Sequence, residues 1–129
     1  QSSLNKYSVS RREFLEASER ASIISSASNN VVRFQFEENG LLIQANAPGL
    51  GEFKESIKVN RIQGSGTIKV AFNVRLILDA VKILDSDDIT VEFNSEESPC
   101  VVRPMGVEDY TYIIMPIRTN DYQEESPSR

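Results

Sequence analysis

Two segments of this chain repeat their apolar residues at helical spacing, and each follows directly on a strand-like run. Almost everything else reads as short β-rich stretches separated by turns. A chain so patterned must bury one stripe of each helix against a sheet built from its own hairpin-linked strands, which is the α+β arrangement. The first helix is opened by Ser10-Arg11-Arg12-Glu13, a capping box with Ser as N-cap and Glu three residues on, just after the alternating Tyr7-Ser8-Val9. Phe14, Ala17, Ala21 and Ile24 then make one apolar stripe through about residue 25. The second helix, over 74–84, is opened by Asn73, whose short polar side chain suits an N-cap.

The β-rich runs fall into register around these helices. Residues 31–36 and 41–47 are joined through Glu37-Glu38-Asn39-Gly40, where Asn-Gly is expected to supply the positive φ angles of a tight hairpin. Pro48-Gly49-Leu50-Gly51 turns the chain into a strand over 52–59, and Gly64-Ser65-Gly66 is read as a hairpin tip leading into a strand over 67–72. Strands over 89–94, 100–103 and 110–117 close the pattern, with turns at 95–99 and 104–109. The predicted order is β-α-ββββ-α-βββ, with both helices on one face of an antiparallel sheet. Beyond Arg118, residues 119–129 are polar and acidic without any period, so they read as a disordered tail to a domain over 1–118.

At 129 residues the chain has room for one core, and it opens at Gln1 without an initiator Met, which points to a processed chain or a segment of a longer one. No run approaches the roughly 18 apolar residues of a membrane span and the first 20 residues are too charged for a signal peptide, so no membrane partner is expected, and a single thiol fits a reducing, cytoplasmic home. There is no His and only one Cys, Cys100, which excludes imidazole triads, Cys/His zinc clusters and an internal disulfide. The net charge of −5 argues against gripping nucleic acid by bulk electrostatics.

Three constellations invite an enzyme reading, and each has a plainer one. Asp85-Ser86-Asp87-Asp88 has the paired carboxylates of a Mg²⁺ site, but a helix-to-strand turn accounts for the same residues. Gly64-Ser65-Gly66 lacks the Lys-Ser/Thr and the following helix of a phosphate loop. Cys100 has no neighbouring base and sits in a strand, which favours inert packing. Thus no catalytic residue, metal site or cofactor is expected.

The segments RREFLEASERASIIS, NNVVRF, FNVRLILDAVKIL, SPCVVRP and YIIMPIR, in this order and at these separations, resemble the last domain of bacterial DNA sliding clamps, the β subunits of DNA polymerase III. The resemblance covers about residues 5–118. It implies a clamp-domain fold on a curved sheet, three such domains per subunit, and a head-to-tail homodimer that closes a ring around duplex DNA as a processivity factor. It places the subunit interface at Ile23 and Ile24, and matches Glu52 and Glu55, on a strand at the sheet edge, to acidic positions paired with basic residues of the neighbouring subunit. Helical geometry agrees for Ile23, which at about 100° per residue lies opposite Phe14. An apolar residue there calls for a partner, and its plainer reading is a scattered surface Ile.

In the same resemblance the second helix lines the central hole, so Arg75 and Lys82 face DNA, with Asp79 between them keeping contact weak enough to slide. Their plainer reading is a solvated face laced with charges. The resemblance also implies a hydrophobic cleft for short linear peptides of the polymerase III α subunit, the clamp loader and repair polymerases. The matching positions are Asn73, Leu76, Pro99, Ile113, Met115, Pro116, Ile117 and Arg118. Leu76 lies off the apolar stripe, and Met suits a groove that must accept several ligands. This sequence departs from the pattern in carrying Leu76 where some members have Tyr, Glu97 where a Val occurs, and residues beyond Arg118. Two other readings stand beside it: a generic α+β interaction domain that keeps the cleft without a ring, and a hydrolase using Asp87, Asp88 or Glu96.

Overall fold

The computed structural model describes residues 4–106 and 110–118. The elements are β1 (Asn5–Ser10), α1 (Arg11–Ser25), β2 (Val31–Phe36), β3 (Gly40–Ala47), β4 (Gly51–Gln63), β5 (Ile68–Asn73), α2 (Val74–Ile83), β6 (Asp88–Phe93), β7 (Cys100–Pro104) and β8 (Tyr112–Ile114), in the expected β-α-ββββ-α-βββ order. All strand pairs are antiparallel, and they form one eight-stranded sheet in the order β5-β2-β3-β4-β1-β6-β7-β8. Helix α1 packs over β3 and β4 and against α2, so both helices share one side of the sheet.

Both helices begin where a side chain satisfies an orphan N–H of the first turn. The Ser10 hydroxyl accepts from the Glu13 N–H at 3.2 Å, and Asn73 Oδ1 accepts from the Arg75 N–H at 2.9 Å. The end of α2 is finished from outside: the Arg11 guanidinium donates to the carbonyls of Val81 at 3.0 Å and Lys82 at 3.2 Å. The core lies between helices and sheet. The ring of Phe34 stands 5.8 Å from that of Phe14 on α1 and 5.8 Å from that of Phe72 on β5. Tyr7, Phe36 and Phe93 form a second group at centroid separations of 4.6, 5.2 and 6.0 Å.

Three local expectations are corrected. The β2–β3 hairpin exists, with Glu37 N–H donating to the Gly40 carbonyl at 2.9 Å, but neither Asn39 nor Gly40 has a positive φ. The carbonyls of Glu38 and Asn39 instead accept from Arg61 and Val59 of β4, both at 3.2 Å, so the neighbouring strand dictates the shape of the turn. Among the described non-glycine residues the positive φ angles fall on Asn29 and Asn30 after α1, and the Asn30 carbonyl accepts from Val74 at the start of α2. Gly64-Ser65-Gly66 is not a hairpin tip. The end of β4 is engaged on both sides, by β1 and by the Glu38–Asn39 turn, so the chain crosses to pair β5 with β2.

The last strand is shorter than the expected 110–117. It pairs with β7 only over Tyr112–Ile114, and Ile117 N–H then donates to the Ala71 carbonyl of β5 at 2.8 Å. Since β5 and β8 are the two ends of the sheet, a bridge between them requires the sheet to curve. The expected tail over 119–129 lies outside the described residues.

Candidate functional site

Strand β4 changes partners along its length. Residues 51–58 pair with β3, and β1 takes the opposite side only from Val59 onward. Among the described residues, the other edge of 51–58 is therefore bare, a row of backbone donors and acceptors open to another strand. Glu52 and Glu55 both lie on this stretch but, three residues apart in a strand, they face opposite ways. Glu55 is level with Ile43 on the helix side, and Glu52 is level with the exposed Asn46 on the other.

Glu55 is held by Arg20 of α1 in a two-pronged contact, Nε to Oε1 at 2.9 Å and Nη2 to Oε2 at 2.6 Å. The hydrogen bond from Arg20 holds the Glu55 carboxyl below its ordinary pKa, and the same bond raises Arg20. A depressed carboxylate contributes fully above its unfolded pKa, so this contact persists through neutral pH and fades only on acidification below the ordinary carboxylate range. One turn beyond Arg20, Ile23 is 68% exposed, whereas Ile24 is half-buried and packs against the core. The structure thus separates two residues that the resemblance treats alike.

A second surface forms where the end of the chain crosses from β8 to β5. The Ile117–Ala71 bridge sets residues 115–117 beside the start of α2, and α2 also meets β8. Pro99 precedes Cys100, which pairs with Ile114. The expected cleft residues are therefore brought to one end of the domain from three separate segments. Leu76 (47%), Ile113 (65%) and Met115 (57%) are exposed, as are Pro99 and Arg118, while Pro116 and Ile117 are half-buried. The Asn73 side chain is half-buried and engaged in capping its own helix.

On α2, Arg75, Asp79 and Lys82 are exposed. The same helix carries Ile83 at 61% exposure, seven residues after Leu76 and so on nearly the same face. Ile83 and Leu84 border a cavity of about 340 Å³ with Asp85, Pro104 and Tyr110. Sequence reading missed this apolar feature, although the spacing from Leu76 carried a signal for it.

The acidic run after α2 is used as a turn. The Asp87 carbonyl accepts from Arg11, and the Asp88 carbonyl accepts from Met105 and from the Ser86 hydroxyl. Glu96 accepts from the Lys69 backbone N–H at 3.1 Å on the outer edge of β5. Cys100 is buried, and loss of hydration, with a smaller contribution from Glu92, pushes its thiol up to about 12. The thiolate is the reactive species, so native protein at pH 8 is expected to resist iodoacetamide and to take up the label only on unfolding. Rapid labelling of folded protein in mass spectra would refute that placement of Cys100. Among the described residues no helix is long and apolar enough to cross a membrane.

Residues 1–118 match the family model described as DNA polymerase III beta subunit, C-terminal domain. The beta sliding clamp of Staphylococcus aureus is 33% identical over 115 residues, which is 88% of this chain and 30% of that protein. The Staphylococcus epidermidis clamp is 30% identical over the same share of each. The crystal structure of the DNA polymerase III beta subunit of Thermotoga maritima superposes with a TM-score of 0.85 at 31% identity, covering 92% of this chain and 32% of that one. The Pseudomonas aeruginosa sliding clamp does so with a TM-score of 0.85 at 25% identity, again covering 92% and 32%. The chain therefore spans about a third of the length of the relatives it matches.

Proposed function

The chain belongs to the family of the C-terminal domain of the DNA polymerase III beta subunit, and from that membership we propose that it is one domain of a non-catalytic sliding clamp. In this reading three such domains make a subunit, and two subunits close head to tail around duplex DNA and tether the replicative polymerase. The observation that carries it is the family match over residues 1–118 together with the shared fold, since no local feature alone distinguishes a clamp from another α+β domain. The bare edge of β4, with exposed Ile23 carried one turn past Arg20 on the helix that packs over β3 and β4, supports a subunit contact there. Exposed Arg75 and Lys82, offset by Asp79 in a chain of net charge −5, support contact with DNA weak enough to permit sliding.

The exposed apolar surface of Leu76, Ile113 and Met115 supports the peptide cleft. Its expected ligand is a short segment carrying a Gln and a Leu-Phe pair, of the kind the α subunit, clamp loader and repair polymerases would present. Apolar anchors contribute roughly 25 cal/mol per Å² before ordering costs, so a groove with one wall supplied by another domain should bind weakly. An NMR titration tests this. The isolated domain should bind such a peptide in the high micromolar range or weaker, with shifts centred on Leu76 and Met115 and tighter binding once the preceding domain is restored. Removing 120–129 should tighten binding if that segment competes for the cleft. Shifts only at distant residues, or none in a two-domain chain, would overturn the cleft and favour a generic interaction domain.

A further inference from the structure

The two carboxylates on the bare stretch of β4 are not equivalent. Glu52 is exposed on the side away from the helices, whereas Glu55 lies beneath α1 with both oxygens occupied by the fork of Arg20. A bidentate guanidinium neutralises a carboxylate and fixes its orientation, so a cation approaching the strand edge from outside meets a pair already formed. Among the described residues this is also the only ion pair that ties α1 to the sheet, the others joining Glu92 to Lys6 and to Arg103. It grips α1 one turn before Ile23, where residues three and four apart are neighbours on the helix surface.

We infer that Glu55 is a positioning residue acting within its own subunit, fixing through Arg20 the end of α1 so that Ile23 stands at the bare edge of β4. Glu55 is then not the carboxylate that meets a cation of the neighbouring subunit, and Glu52 is left free for that contact. The inference rests on the proposed ring and its interface, because what Ile23 is positioned for is the second copy. It differs from the expectation carried by the resemblance, which gave Glu52 and Glu55 one shared role.

The test is a charge exchange in the full-length subunit, with the dissociation constant of the dimer measured by sedimentation. Arg20→Gln and Glu55→Gln are each expected to weaken association by roughly two- to fivefold, the scale of an exposed ion pair. The double exchange Arg20→Glu with Glu55→Arg should restore association, since the pair is rebuilt inside the same chain. If Glu55 met a cation of the neighbouring subunit directly, the exchange would set two cations against each other and association would fall further, which overturns the inference. Unchanged association in both single variants also overturns it. Ile23→Asp measured in parallel separates the two levels: its dissociation alongside unaffected Arg20 variants rejects the clasp and keeps the interface. A dimer indifferent to Ile23→Asp rejects the interface, and the inference with it.

Discussion

Replacing Ile23 by Asp in the full-length subunit is expected to raise the dissociation constant of the ring on the order of a hundredfold or more while leaving this domain folded. The side chain is 68% exposed here, so in the isolated domain the new carboxylate stays in water and costs little. At a closed interface it would be stripped of water against an apolar partner, at a cost on the order of a few kcal/mol. Each increment of about 1.4 kcal/mol is a tenfold change in affinity. Ile24→Asp should also open the ring, but for a mixed reason. Ile24 is half-buried against the core, so its substitution should lower the thermal stability of the domain as well. Sedimentation velocity on the full-length variants, with circular dichroism melts of this domain, distinguishes the two. A ring that survives Ile23→Asp at its original affinity would place the subunit contact elsewhere.

Phe34→Ala should have the largest effect on folding. Phe34 is buried in β2 between Phe14 of α1 and Phe72 of β5, so it joins the first helix to the strand that precedes the second. Truncating a buried Phe removes its transfer free energy and leaves a cavity that its neighbours fill only partly, about 3–5 kcal/mol in all. That is a large part of the roughly 5–15 kcal/mol that keeps a domain folded. Urea unfolding of the isolated domain should show the midpoint falling sharply with the slope unchanged. A loss below about 1 kcal/mol would mean that the aromatic group is not the junction between helices and sheet, since typical single substitutions already cost about that much.

What could be read directly from the residues was whatever a few neighbours decide among themselves. Ser10 and Asn73 announce their helices because a cap needs only its own side chain and an N–H two or three residues on. The alternation in β2, with Val32, Phe34 and Phe36 inward, follows from the two-residue period of a strand. Together these signals give the element order and the α+β class. The family enters on segments spread along the chain, the last of them YIIMPIR at the end of the match.

Tertiary structure alone decided which distant groups meet. Arg11 caps the far end of α2 at a separation of 70 residues, and Arg20 clasps Glu55 across 35. The turn at Asn39 gave up its favoured local geometry because Val59 and Arg61 claimed its carbonyls, and Ile117 left β8 to bond Ala71 at the opposite end of the sheet. None of these contacts leaves a period in the sequence. Each forms only after the sheet has folded as a unit and brought the partners within hydrogen-bonding range, so its residues are specified by the packing of the whole domain rather than by their neighbours in the chain.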